Sequence, residues 1–164
     1  MAPPFVKKAG IFNFLDKRVD FGKNFSGQPI LGSHKTWRGV IFGIIFGILA
    51  VGLQYWLYQF SFIREISFLN YKEINILAFG ALMSFGAVFG DLFFAFIKRR
   101  LKIEPGQRFL PFDQTNYVIG AAIFLAPFLG FDILIWTTIF VFTFFLHIII
   151  NRIGYIWNLH QAEW

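Results

Sequence analysis

Long apolar segments constrain the fold more than any other feature of this 164-residue chain. The clearest one covers residues 74–97 and carries a single charged residue, Asp91. A helix rises about 1.5 Å per residue, so a segment of roughly 20 apolar residues can cross the hydrocarbon core of a bilayer. The mean hydropathy of +0.61 and the 25 Phe residues exceed what one soluble core could bury. The sequence therefore predicts an all-α integral membrane protein.

The apolar segments predict a single domain built as a bundle of four transmembrane helices. We expect these helices to cover residues 40–60, 74–97, 115–131 and 132–151. Pro105, Gly106 and Pro111 predict an irregular loop at residues 98–114, between the second and the third helix. His147 lies within the fourth apolar segment, where a hydrogen bond to another helix is its expected role.

Basic residues gather in two of the segments that flank the predicted helices. Seven of the 15 Lys and Arg residues precede Val40, and five lie between Lys98 and Arg108. A basic excess in short loops marks the cytoplasmic side of a membrane protein. We therefore expect a multi-pass protein of the cell membrane whose active site faces the cytoplasm. The chain shows no aromatic-basic module for nucleic acid, and it has no Cys for thiolate chemistry.

Two isolated acids lie beside the second basic cluster. Asp91 is near the end of its apolar segment, where a charge costs less than the roughly 2.5 to 3.5 kcal/mol expected at a helix centre. Asp113 follows in the string PFDQ. Asp91 and Lys98 are seven residues apart and so share one helix face. Two acids next to Lys and Arg at a membrane surface predict a divalent metal and a phosphate ligand.

A second cluster, the string LGSHKTWRG at residues 31–39, directly precedes the first predicted helix. It offers Gly32, Lys35, Thr36 and Arg38 at a helix start, where backbone N–H groups and the positive helix end both attract anions. The spacing differs from that of a Walker A loop. The cluster is either a phosphate-binding cradle or only a basic anchor on the inner side of the membrane.

Glycines recur every four residues in the first two predicted helices, at Gly39, Gly43 and Gly47 and again at Gly86 and Gly90. Small residues at this spacing allow helix backbones to approach closely, and they leave a homodimer open. The alternative for Gly90 is that it clears space for a ligand beside the adjacent acid.

Taken together, the motifs resemble the CDP-archaeol synthase family. The matching strings are LGSHKTWRG at 31–39, GD at 90–91, FIKRR at 96–100 and PFDQ at 111–114. The resemblance implies a CTP-dependent cytidylyltransferase, related to the phosphatidate cytidylyltransferases. Such an enzyme transfers a cytidylyl group from CTP to an archaeal ether lipid, 2,3-bis-O-geranylgeranylglycerol 1-phosphate, and releases pyrophosphate. The family archetype has five helices, so the resemblance also implies an apolar helix missing before Met1.

The resemblance implies a Mg²⁺ cofactor and a role for each acid. Asp91 and Asp113 would hold the metal, and Asn116, which replaces an acid common in the family, is a further candidate ligand. Lys98 would take part in catalysis. A hard cation such as Mg²⁺ accepts carboxylates together with phosphate oxygens and water.

The resemblance also implies a set of phosphate-binding residues. Lys35, Thr36 and Arg38 would bind the triphosphate. Lys98 and Arg99 would neutralise the lipid phosphate or the departing pyrophosphate. Asp20 would orient Lys35 or contact the nucleotide; the alternative is that it is a solvated loop acid. The expected binding residues for CTP and phosphate are Gly32, Lys35, Thr36, Arg38, Lys98, Arg99 and Asp20.

Other functions remain open at the level of sequence. The same chemistry on a diacyl lipid would give CDP-diacylglycerol. A small transporter would need ionisable residues near the membrane midplane on several helices. A non-catalytic protein that binds anionic membrane lipids would explain the basic segments but not Asp91 and Asp113.

Overall fold

The computed structural model describes residues 12–104, 107–130 and 132–156. Within these ranges it contains one 3-10 turn, one two-stranded hairpin and five α-helices. The elements are the turn Asn13–Leu15, strands β1 (Asn24–Phe25) and β2 (Gln28–Pro29), and helices α1 (Trp37–Leu57), α2 (Ser61–Glu65), α3 (Ile76–Arg100), α4 (Phe112–Leu129) and α5 (Ile133–Ile156). The prediction of an all-α membrane protein is confirmed. Four parts of the predictions lie outside the described residues: the start of the chain, Pro105, Gly106 and position 131.

The described part of the chain has three helices long and apolar enough to cross a membrane, namely α1, α3 and α5. Helix α4, which corresponds to the span predicted at 115–131, has 18 residues and is not among them. Its first turn is polar because it contains Asp113 and Gln114.

The predicted loop at residues 98–114 is shorter in the structure. Helix α3 continues to Arg100, and α4 begins at Phe112. Lys98 and Asp113 are therefore both helical, and each is held by a rigid element rather than by an irregular loop.

Two long helices begin at polar caps. The Thr36 side chain accepts a hydrogen bond of 3.3 Å from the backbone N–H of Gly39, and this contact starts α1. The Asn75 side chain accepts one of 3.0 Å from Ala78 and starts α3. Such caps satisfy backbone donors that have no partner within the helix. The first cap fixes where the first long helix begins, which is within the 31–39 string.

Helix α3 lies between α1 and α4 and packs closely on both. A methyl group at Gly43 of α1 would lie 3.1 Å from Val88 of α3. On the other side, a methyl group at Gly90 would overlap the Asn116 carbonyl and come within 3.0 Å of the Gly120 Cα. Gly90 therefore allows α3 and α4 to pack closely, and it does not clear space for a ligand. The glycine faces are covered within one chain, so they give no support to a homodimer.

Helix α5 packs against α4, and most of its residues are exposed. His147 lies 3.2 Å from Asn151, one turn further along the same helix, and its ring lies 6.1 Å from the Tyr117 ring of α4. The predicted hydrogen bond to another helix is therefore replaced by one within α5, because the Asn at i+4 is already within reach.

Candidate active site

Two ion pairs between a lysine and a carboxylate form the centre of the candidate site. The Lys35 Nζ lies 2.6 Å from the Asp91 Oδ2. The Lys98 Nζ lies 2.9 Å from both carboxylate oxygens of Asp113. The Asn116 Nδ2 donates to the Asp91 Oδ1 at 3.3 Å. Because Asn116 follows Asp113 by three residues on α4, one face of that helix is directed toward both ion pairs.

The two lysines are less exposed than the acids that they contact. The side chains of Lys35 and Lys98 are 14% and 11% exposed, whereas those of Asp91 and Asp113 are 31% and 29% exposed. The lysine stems lie against the protein while the carboxylates remain open to solvent. A ligand that enters the site can therefore reach the acids directly.

Asp113 is held from several directions at the start of α4. Its Oδ2 accepts a hydrogen bond of 2.8 Å from the backbone N–H of Phe109. Lys98, which contacts the same carboxylate, also donates to the Gln107 carbonyl at 2.7 Å. The first turn of a helix carries partial positive charge and favours an acid. The segment before α4 thus orients both members of this ion pair.

Asp20 fastens the loop that leads to Gly32. Its carboxylate accepts hydrogen bonds from the backbone N–H groups of Gly22, Leu31 and Gly32 at 2.9, 3.0 and 3.2 Å. Burial alone would raise the pKa of this carboxyl, but these hydrogen bonds and one from Arg18 outweigh it and lower the pKa from 3.8 to about 2. The described partners of Asp20 lie in its own loop. Its position therefore differs from that expected of a residue orienting a lysine in the site.

Gly32 approaches a buried guanidinium. Its backbone has a φ of +100°, a conformation that favours glycine, and a Cβ there would lie 3.4 Å from the Arg99 Nε. Arg99 is 7% exposed and donates to the Ile103 carbonyl. Among the described residues it forms no salt bridge. Asp113 and Glu104 attract this guanidinium from a distance, but neither forms a salt bridge with it. A buried guanidinium in that position favours an anionic ligand, and phosphate matches its planar fork.

Arg38 and Thr36 hold the structure together instead of facing the ion pairs. Arg38 is 3% exposed, lies 2.9 Å from the Asp16 carboxylate and donates to Asn13 at 3.3 Å. These contacts tie the 3-10 turn to α1. Arg38 was predicted to bind the triphosphate, but in the structure its guanidinium is paired with the Asp16 carboxylate. The Thr36 hydroxyl caps α1.

Arg100 clamps the hairpin to the end of α3, a role that the sequence reasoning missed. Its guanidinium donates to the carbonyls of Phe25, Gln28 and Pro29. It also lies 5.3 Å from the centre of the Phe25 ring and 4.9 Å from that of Phe96. Of these contacts, only the one with Phe96 could have been predicted from the sequence, because Phe96 lies four residues earlier on the same helix.

The carboxylate oxygens of the site are of the kind that bind Mg²⁺ together with a polyphosphate. Among the described residues, no group of three or more His, Cys, Asp or Glu side chains is arranged for a metal. Asp91 and Asp113 nevertheless supply hard oxygen donors that are open to solvent, and Asn116 contacts the first of them. Mg²⁺ is commonly bound by one or two carboxylates with the remaining positions filled by phosphate oxygens and water.

The fold and the site define a class: an all-α membrane protein with a charged site where α3, α4 and the residues before α1 meet. The chain belongs to the CarS-like CDP-archaeol synthase family, whose model matches residues 4–164.

Several relatives share much of the sequence. A CDP-archaeol synthase of Archaeoglobus fulgidus is 40% identical over 151 residues, which cover 89% of this chain and 83% of the relative. One of Methanocaldococcus jannaschii is 38% identical, with 89% and 82% covered. One of Methanosarcina barkeri is 35% identical, with 90% of each chain covered. No solved structure matches the chain.

Proposed function

We propose that this protein makes CDP-archaeol by transferring the cytidylyl group of CTP to the phosphate of 2,3-bis-O-geranylgeranylglycerol 1-phosphate. Family membership supports this activity, since the relatives that match most of the chain are named CDP-archaeol synthases. The observation that carries the proposal is the pair of ion pairs, Lys35 with Asp91 and Lys98 with Asp113, near the buried Arg99. This arrangement places carboxylates that can bind a metal ion beside cations that can bind phosphate.

The reaction joins two anions. An oxygen of the lipid phosphate attacks the α-phosphorus of CTP and forms a new P–O bond. The bond between the α-phosphorus and the bridging oxygen breaks, and pyrophosphate leaves with that electron pair. The lipid phosphate is already ionised at neutral pH, so the reaction needs no protein nucleophile and no general base. The protein must supply positioning and positive charge.

The two lysines and Arg99 supply that charge. An ammonium has three donors, and Lys98 uses one on the Gln107 carbonyl, so it keeps an anchor while its other donors change partner. Lys35 lies two residues before α1 and turns from Asp91 to the triphosphate when CTP binds. Arg99 offers a rigid fork to phosphate from a buried position.

The carboxylates released by this exchange would hold Mg²⁺. Asp91 and Asp113 are the ligands, and Asn116 keeps Asp91 in place through its side-chain amide. Bound Mg²⁺ would neutralise charge on the triphosphate and orient it. The two lysines would thus stay paired with the carboxylates until phosphate groups bind the lysines more strongly.

The site would face the cytoplasm in a multi-pass arrangement. Lys98, Arg99 and Arg100 occupy the last turn of α3, and Lys35 immediately precedes α1. These cations lie at the same end of the two helices, and such a basic excess is retained on the cytoplasmic side.

Charge-removing variants test the assignment. In purified protein with CTP, Mg²⁺ and the lipid phosphate, Asp91→Asn and Asp113→Asn should each lower turnover by at least about 100-fold, the scale of losing a charge-stabilising contact at a reacting phosphate. Asp132→Asn is the matched control, since the Asp132 carboxylate accepts a hydrogen bond at the start of α5, and it should keep its turnover. Turnover equal to wild type in folded Asp91→Asn or Asp113→Asn would remove that acid from the site.

A further inference from the structure

Four exposed phenylalanines precede the first long helix. Phe12, Phe14, Phe21 and Phe25 are 49%, 69%, 68% and 57% exposed. They lie in residues 12–25, a segment that also carries five charged side chains and precedes α1. Clustered exposed rings on a protein surface mark a site of interaction with another apolar surface.

These rings continue the outer surface of two membrane helices. The Phe12 ring lies 5.9 Å from Phe14 and 5.7 Å from Phe42, which is near the start of α1. The Phe25 ring lies 6.4 Å from Phe96, near the end of α3. Both contacts occur where a long apolar helix meets the charged end of the bundle. The rings of Phe12, Phe14 and Phe25 are therefore continuous with the outer surfaces of these two helices, and Phe21 is an exposed ring of the same segment.

The backbone holds two of these rings in an uncommon conformation. Phe12 and Phe21 have φ values of +57° and +51°. A left-handed backbone is a clear outlier for a bulky residue and is energetically unfavourable. The fold keeps this conformation although both rings remain exposed. Contacts outside the chain would offset the cost.

The charge of the segment favours an anionic partner. Asp16 is paired with Arg38, and Asp20 is paired with Arg18. Lys17 and Lys23 are exposed and form no salt bridge with any described residue. Lysines near a membrane surface are attracted to anionic lipids.

We propose that Phe12, Phe14, Phe21 and Phe25 form an aromatic surface that inserts into the headgroup layer of an anionic membrane. Aromatic rings concentrate at this layer because one side meets lipid and the other meets water. Insertion holds the segment that leads to Gly32 and Lys35 against the bilayer. The cation-bearing end of the site is thereby kept at the level of lipid phosphate groups.

The chain contains no Cys, so a single introduced thiol can be labelled without background. Phe14→Cys and Phe21→Cys carry an environment-sensitive fluorophore in nanodiscs of phosphatidylcholine with or without phosphatidylglycerol. Asn24→Cys is the matched control, because side chains of neighbouring strand residues point to opposite faces. The labels at positions 14 and 21 should be quenched several-fold more by lipid-borne nitroxide than by aqueous iodide, and the label at 24 should show the reverse. Iodide quenching at 14 and 21 equal to that at 24 would overturn the proposal.

Hydrogen exchange of the unmodified protein supplies a measurement that needs no substitution. Exchange of residues 12–25 should be slower in nanodiscs that contain phosphatidylglycerol than in those with phosphatidylcholine alone. Equal exchange in the two kinds of nanodisc would contradict the choice of an anionic partner.

Discussion

Removing the charge of Asp20 should open the loop that carries Gly32. Asp20→Asn resembles the protonated acid, so the lowered pKa measures what the substitution costs. The pKa falls from 3.8 to about 2 because hydrogen bonds from Leu31, Gly22, Arg18 and Gly32 outweigh the effect of burial. At about 1.4 kcal/mol per pKa unit, the ionised carboxylate contributes about 2.5 kcal/mol at neutral pH. That energy corresponds to roughly 60-fold in the opening equilibrium of the loop.

Hydrogen exchange at the Leu31 and Gly32 amides measures this opening directly. At pH 7 both amides should exchange roughly 60-fold faster in Asp20→Asn than in wild type, following the energy above. Glu65→Gln is the matched control, because Glu65 is an exposed acid on α2, and it should leave both amides unchanged.

The pH dependence provides a second check on Asp20. Its folded-state pKa lies below the ordinary value, so its contribution is complete well above pH 3.8 and is lost as the pH falls through about 2. After correction for intrinsic exchange rates, wild type at the acid end of this window should behave like Asp20→Asn. Equal protection of the two proteins at pH 7 would refute the role given to this carboxylate.

Three further variants test contacts described above. Gly90→Ala should lower stability by about 1 to 3 kcal/mol in thermal unfolding, since its methyl group would overlap the α4 backbone, whereas Gly52→Ala meets no atom within 4 Å and should be nearly neutral. Arg100→Gln removes charged hydrogen bonds to the hairpin and should speed amide exchange at residues 24–29 by at least about tenfold; unchanged exchange would contradict the clamp. Lys35→Gln should raise the KM for CTP by more than about tenfold in steady-state kinetics, and an unchanged KM would place Lys35 outside the nucleotide site.

The membrane helices were predictable because hydrophobicity is a local property of the sequence. Three predicted segments coincide with long apolar helices, and their charged ends follow directly from the basic clusters. The start of α4 was harder to place. PFDQ looks like loop sequence, but Asp113 at a helix N-terminus is favoured by the partial positive charge there.

The pairing of charges was not predictable. Periodicity places Asp91 and Lys98 on one face of α3, yet each contacts a residue from another element. The pairing of Lys98 with Asp113 depends on how closely α3 and α4 approach, which is set by the contact between Gly90 and Gly120. The pairing of Asp91 with Lys35 depends on how the residues before α1 pack on α3. A sequence reveals which residues are charged and helical, but tertiary contacts select their partners.

Arg38 illustrates the same limit. An arginine at the start of a helix looks identical in sequence whether it binds a ligand phosphate or an acid of the same chain. The structure pairs it with Asp16, 22 residues earlier, and buries it. No pattern around Asp16 indicates that partner, because the intervening loop is shaped by backbone hydrogen bonds to Asp20.

The fate of each phosphate of CTP tests the central claim most directly. Folded protein in nanodiscs is supplied with Mg²⁺, 2,3-bis-O-geranylgeranylglycerol 1-phosphate and CTP labelled at either the α- or the γ-phosphate. The α-label should appear in the lipid extract and the γ-label in pyrophosphate, in equal amounts, and a chelator should stop both. Folded protein that transfers no α-label to lipid, or that transfers the γ-label instead, would contradict the account.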